Sequence, residues 1–256
     1  MTTSNSPPTS SRPAALVAGR AEEAATRRRS ALDHLRDAWL IAAKDLRIEA
    51  RTREIVTTSG FFATLVAIMT SVAFSTGADT TKRIAPGAIW IPVAFASILA
   101  LGRTWQRERD DAALTGLLVT PIARASIFLG KAVGVFAFIT VVEIIVVPVV
   151  ALVFHVELAD VAAKLAMVLV AGTIGVAAAG TLFGAMTVRT RARELVLATV
   201  LFPLLSPTLL SGVAATRQII IGASFDELTD YLVLLGTFDA VAIAGGIGLF
   251  GALVEE

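Results

Sequence analysis

The sequence predicts an all-α integral membrane protein with six transmembrane helices, both termini on the cytoplasmic side, and an amino-terminal interfacial amphipathic helix. Three observations carry that prediction. Of 256 residues, 55% are hydrophobic and only 17% are charged, a composition unlike that of an ordinary soluble domain or a disordered chain. The ionisable residues leave gaps long enough for the roughly 20 apolar residues that a bilayer-crossing helix needs. The 22 Lys and Arg residues also fall unevenly on the two sides that these gaps define. A formal net charge of +1 gives no electrostatic reason to expect a nucleic-acid partner. The absence of cysteine removes disulfides, thiolate metal sites and thiol catalysis.

Residues 1–30 are Ser, Thr, Pro, Ala and Arg with almost no large apolar side chain, and they read as a disordered tail. From Leu32 the pattern changes. Leu32, Leu35, Trp39, Ala43, Leu46 and Ala50 recur at three- and four-residue steps among charges, which predicts a cytoplasmic or interfacial amphipathic helix over 31–54. A basic helix of this kind lies in the headgroup plane, either as a surface anchor alone or with a face that also touches a cytoplasmic partner. No cleaved signal is expected here, because the basic Arg27, Arg28 and Arg29 are followed by a stretch, Ser30 to Glu54, that is dense in charge and has no apolar run.

The membrane domain, residues 55–254, divides into spans at about 55–76, 85–102, 127–154, 162–188, 195–215 and 231–254. Continuous Ala, Val, Leu and Ile runs exclude the alternating pattern of a β-barrel. Eighteen basic residues lie on the side of the amino-terminal arm and four on the other, so the positive-inside rule places both termini in the cytoplasm. The opposite connections, at 77–85, 155–160 and 216–230, are short, and only the last has room for a short helix.

The connection from Arg103 to Lys131 is longer. It opens on charges (Arg107, Glu108, Arg109, Asp110, Asp111), continues with Leu114, Gly116, Leu117 and Leu118, and meets Pro121 and Arg124. Early acids suit a helix dipole and proline ends a helix, so Asp110 and Asp111 are expected to begin a short helix with an apolar tip. The alternative is an interfacial turn without a partner.

This string resembles the second-to-third connection in permease subunits of ABC-2-type transporters. The matching residues are Glu108, Leu114, Gly116, Leu117, Leu118, Thr120, Pro121, Arg124, Leu129, Gly130 and Lys131. Three further segments, Lys44 to Glu54, Ala85 to Arg103 and Gly180 to Pro207, narrow the resemblance to the CcmB family of cytochrome c maturation permeases. The resemblance runs from about Trp39 to the carboxyl terminus, and the long amino-terminal tail departs from it. It implies a permease in the bacterial inner membrane, present in two copies and working with a separate CcmA-like ATPase, CcmC-like membrane proteins and a haem chaperone. ATP would be bound by the partner, and haem would be carried in the complex rather than held as a cofactor of this chain.

The residues fit that division of labour. Around Gly130 and Lys131 the first glycine and the final hydroxyl of a P-loop are missing. Arg107, Glu108, Leu114, Gly116, Leu117, Leu118, Pro121 and Arg124 are therefore read as the ATPase-docking segment, an apolar anchor with flanking charges to fix its register.

Within the spans, Glu143 and Asp239 are functional candidates, since an Asp at mid-bilayer costs about 2.5–3.5 kcal/mol. Their structural alternative is a hydrogen bond to a neighbour such as Thr140 or Thr237. Pro148, Pro203 and Pro207 predict a kink or hinge, with the fifth span bent or broken. Gly180 and Gly184, like Ala240, Ala244, Gly248 and Ala252, form small-residue rows suited to close helix packing. His34 lies in the cytoplasmic helix, and His155, in the outward turn beside Glu157, reads as a solvated loop histidine in preference to a haem ligand. Two rival functions stay open at this point: an ABC-2 exporter of a drug, lipid or glycan, and an ion-coupled carrier using Glu143 and Asp239. An intramembrane hydrolase is the weakest reading, because no acid, base and nucleophile can be placed together.

Overall fold

The structure is a computed structural model that describes residues 31–74, 78–110, 116, 117, 120–187 and 193–255. The proposed tail, together with Asp111, Leu114 and Leu118, lies outside the described residues. Seven helices and no strands occur among those that are described: α1 (Ala31–Thr52), α2 (Glu54–Ala73), α3 (Ala78–Asp110), α4 (Arg124–Phe154), α5 (Leu158–Thr187), α6 (Arg193–Ile220) and α7 (Phe225–Glu255). The six from α2 to α7 are each long and apolar enough to cross a membrane.

Several helices run past the predicted spans. α3 continues unbroken to Asp110, so Asp110 ends that helix and does not begin a new one. Good helix formers, three Arg with Gln106 and Glu108, make up most of this extension. α6 runs directly to Ile220, and the turn at Gly222, with φ 93°, leads into α7. That leaves no separate helix in the 216–230 connection. α6 is also continuous through Pro203 and Pro207, and the predicted break does not occur. Pro207 cannot donate to the Pro203 carbonyl, but the Ser206 hydroxyl does so at 2.7 Å, which satisfies the freed acceptor.

α1 packs lengthwise along the first half of α4. His34 meets Ser126, Ala38 and Ile41 meet Gly130, and Asp45 meets Lys131 and Gly134. The face it buries is Ala38, Ile41, Ala42, Asp45 and Glu49, while Leu32, Leu35, Trp39 and Leu40 are exposed. The expected apolar stripe is thus the face turned away from the bundle at its amino-terminal end. Small residues face the protein because Gly130 and Gly134 admit close approach.

Arg53, left-handed at φ 55°, separates α1 from α2. α2 is peripheral. Ile55, Ser59, Ala63 and Ala67, at four-residue steps, face inward, whereas Phe61, Met69 and Val72 are exposed.

α5 is the most enclosed span, and glycines make that position available. Gly180 and Gly184 receive Leu101 and Trp105 of α3, so two residues four apart on one helix seat two residues four apart on the other. Trp90 of α3 lies between Gly172 of α5 and Gly212 of α6 and donates from Nε1 to Thr216 Oγ1 at 2.9 Å. Gly246 of α7 receives Phe128 of α4, whose ring lies 5.8 Å from that of Phe250. By contrast Ala240, Ala244, Gly248 and Ala252 line an exposed face of α7.

A methyl group at Gly184 would collide with the Trp105 ring, whereas at Gly248 it meets open space. Gly184→Ala should therefore destabilise the fold by about 1–3 kcal/mol through overpacking, and Gly248→Ala should be neutral or mildly stabilising. Thermal unfolding in detergent measures both, and equal melting temperatures would contradict the packing.

Candidate functional site

The most concentrated chemistry lies where α1 meets the ends of α2, α3 and α4. Lys131, about two turns into α4, has a fully buried side chain. Its Nζ donates to Asp45 Oδ2 of α1 at 2.7 Å and to Glu108 Oε1 of α3. Lys44 closes a quartet, 3.3 Å from Asp45 and 3.6 Å from Glu108. Burial works against the Lys44 charge, but the two carboxylates outweigh it and hold its pKa above the ordinary lysine value. Two cations and two anions leave the quartet neutral.

A second quartet adjoins the first. Arg107 reaches Glu49 Oε2 at 3.4 Å and Glu54 Oε2 at 3.5 Å, and Arg103 reaches Glu54 Oε1 at 3.4 Å. Glu49 has a further task. Its Oε1 accepts the Val56 backbone N–H at 2.9 Å, so a carboxylate from α1 caps the first turn of α2, where the helix dipole favours negative charge. Among the described residues no group of His, Asp and Glu side chains is arranged to hold a metal ion.

This arrangement corrects the reading of Arg107 and Glu108. Both were expected to face a partner as register-setting charges. Glu108 is instead buried and Arg107 largely covered, each engaged by α1 or α2. A buried cation at Lys131 requires buried anions, and Glu108 is one of them. Leu117 is half-buried and packs against the core around Trp105, Ile127 and Phe128. Its carbonyl accepts the Thr120 hydroxyl at 2.6 Å. Gly116 and Pro121 are exposed, and Arg124 opens α4 beside Gly251. The exposed part of the connection, at Gly116 and Pro121, thus follows the clamped end of α3 and precedes that of α4.

Sequence reasoning noticed Lys131 as part of a motif but missed its role. The missing signal was a basic residue inside an otherwise apolar span start, which calls for acids elsewhere in the chain.

The intramembrane acids are both buried, but they do not share a cavity. Glu143 accepts the Thr173 hydroxyl of α5 at 2.5 Å. Asp239 lies against Gly175 of α5, and its Oδ1 has no hydrogen-bond partner among the described residues. Thr173 and Gly175 are two residues apart, which puts them on opposite faces of a helix with 3.6 residues per turn. The partners anticipated from sequence are occupied elsewhere: Thr140 donates to the Phe136 carbonyl at 2.9 Å and Thr237 to that of Val233 at 2.7 Å. His34 is within 3.3 Å of Ser126. His155 stands exposed and left-handed, at φ 53°, at the end of α4.

Comparison with known proteins gives this geometry a context. Residues 36–252 match the family described as CcmB protein. Heme exporter protein B of Bradyrhizobium diazoefficiens is 29% identical over 166 residues, which cover 63% of this chain and 72% of the relative. The protein of the same name in Rhodobacter capsulatus is 26% identical over 209 residues, or 80% of this chain and 92% of the relative. That of Paracoccus denitrificans is 28% identical over 206 residues, or 78% and 90%.

The charge cluster makes a definite energetic demand. Lys131→Met leaves Asp45 and Glu108 buried without their cation and should destabilise the fold by about 3–5 kcal/mol. Adding Asp45→Asn and Glu108→Gln should recover part of that loss. Thermal unfolding in detergent of the single and triple variants tests it, and a triple variant weaker than the single would refute the electrostatic account.

Proposed function

The chain belongs to the CcmB protein family, and from that premise we propose that it is the haem-export permease subunit of an ABC transporter complex for cytochrome c maturation. The observation that carries this reading is the extent of the match, which runs from α1 through all six spans. The relatives named above bear the name heme exporter protein B. A permease of this kind has no nucleotide site of its own, and ATP is hydrolysed by a separate cytoplasmic CcmA-like subunit. The work is export of haem or release of a haem-loaded chaperone, with CcmC-like proteins and a second permease copy in the same assembly.

The ATPase docks on the connection between α3 and α4, through Leu114, Gly116, Leu118 and Pro121. Arg107, Glu108 and Leu117 support that segment from behind. A push on the connection reaches the ends of α3 and α4 together, because Glu108 and Lys131 are paired across them. Through Asp45 and Glu49 it also reaches α1 and the capped start of α2. The charge clusters then serve as the stiff mount that carries nucleotide-driven movement into the spans. The uneven basic residues support a cytoplasmic setting for this end of the bundle and for both termini, and the family membership supports the inner membrane as its location.

Leu114→Asp should leave membrane insertion intact and lower co-purification of the ATPase about tenfold, the effect of about 1.4 kcal/mol at the interface. Unchanged co-purification would sink the docking assignment. The absence of native cysteines permits a clean test of sidedness. A single cysteine at Gly116 should be protected from an impermeant thiol reagent in intact spheroplasts, and one at His155 should be labelled; the reverse pattern would invert the topology.

A further inference from the structure

The end of the bundle opposite Lys131 carries a pocket of about 460 Å³, where the turn between α4 and α5 meets the end of α6. His155 and Glu157 of that turn line it together with Asp160 and Lys164 of α5, beside Ile219 and Ile220 of α6. Its charges stand apart. Asp160 and Lys164 are four residues apart with the acid first, the order that pairs most readily along a helix. Lys164 instead reaches across to the turn between α6 and α7, where its Nζ donates to the Ala223 carbonyl and lies 5.2 Å from the centre of the Phe225 ring. Glu157 and Asp160 are exposed and have no ion pair among the described residues. An acid in the first turn of α5 suits the helix dipole, but the dipole explains neither Glu157 nor a lysine turned away from its neighbour.

Two carboxylates and one ammonium thus line the same space without neutralising one another. A simple cation in it would meet Lys164, and a simple anion would meet Glu157 and Asp160. Only a ligand of both signs is matched at both ends. Lys164 has three N–H donors and gives one to Ala223, which leaves two for an anionic group. Depth fixes the order of the charges. Asp160 lies in the first turn of α5, and Lys164 lies about 6 Å farther along the axis, toward the middle of the span. The groups that attract a cation are therefore on the water side, and the group that attracts an anion is nearer the hydrocarbon. In a phosphatidylethanolamine headgroup the phosphate joins the glycerol and the ammonium is at the free end, so its charges are layered in the same order.

We infer that this pocket binds a phosphoethanolamine group, with Lys164 holding the phosphate and Glu157 and Asp160 receiving the ammonium. A membrane phospholipid is the source that the layering matches. The inference goes beyond the transport role and stands independently of it, since it requires only that α4, α5 and α6 cross a bilayer.

The test uses the full chain purified in detergent and offered an equimolar mixture of phosphatidylethanolamine, phosphatidylglycerol and phosphatidylcholine with identical tails. Native mass spectrometry reads the lipid retained. Phosphatidylglycerol keeps the phosphate but lacks the ammonium, and the ammonium of phosphatidylcholine has no N–H to donate. Phosphatidylethanolamine should be retained about tenfold over either. Glu157→Gln combined with Asp160→Asn, both at exposed positions, should bring the preference over phosphatidylglycerol down to about one. Lys164→Gln should lower retention of phosphatidylethanolamine, and Lys164→Arg should restore it. The double acid variant carries the test if Lys164→Gln fails to accumulate. Titration with free phosphoethanolamine separates the sources: a lipid adduct that it leaves undisturbed assigns the site to the membrane, whereas binding of the free compound without a lipid adduct assigns it to a soluble zwitterion. Equal retention of the three lipids with no binding of free phosphoethanolamine, or a preference indifferent to both the acid and the lysine variants, would overturn the inference.

Discussion

A lysine with no exposed side-chain surface sits near the start of α4, and the architecture at that end of the bundle follows from neutralising it. Charge removed from water must be matched at close range, since effective dielectric falls with burial. Lys131 takes one anion from α1 and one from α3. α1 must therefore lie along α4 and bring Asp45 to the right height, and α3 must stay helical past its apolar stretch to deliver Glu108. Glu49, one turn beyond Asp45, then reaches the start of α2. Four helices, the first two consecutive in the chain and the others more distant, are fixed by a neutral set of charges.

Away from this cluster the bundle is held by shape. In a bilayer, lipid tails are as apolar as leucine, so burying apolar surface gives no net drive and close packing has to supply it. Leu101 and Trp105 set into Gly180 and Gly184, and Trp90 held between Gly172 and Gly212, put large rigid side chains against bare backbone. α5 becomes central because it supplies most of these recesses. The two mechanisms divide the molecule, with ionic pairing where water is near and interlocked volumes deeper in.

The spans were legible in the sequence because their signal is local: an uncharged run of sufficient length must be a helix in a membrane. Their limits were less so. α3 extends to Asp110 through residues that look like loop charges until Lys131 and Glu49 are placed beside them. The amphipathic character of α1 was plain, but its protein-facing side was not. Leu32, Leu35 and Trp39 dominate any hydrophobicity count, whereas contact is made by Ala38, Ile41 and Ala42, chosen by glycines about 90 residues later. Gly180 and Gly184 announced a close approach without naming the partner. Ser206 could not be foreseen as the donor that keeps α6 continuous at its prolines. At the charge cluster every participant was visible as a type and none as a pair, because pairing is set by the fold.

The separation of Asp45 from Lys131 by 86 positions also bears on how the molecule is made. Chains emerge amino-terminus first, so α1 and the end of α3 are complete before their shared cation exists. During that interval Asp45 and Glu108 have only Lys44 and water as company, and the inner face of α1 has nothing to rest on. Biogenesis thus has a late locking step, in which the entry of α4 into the bilayer recruits a helix synthesised some 80 residues earlier. A chain truncated between α3 and α4 would keep two of its spans and leave its first helix undocked.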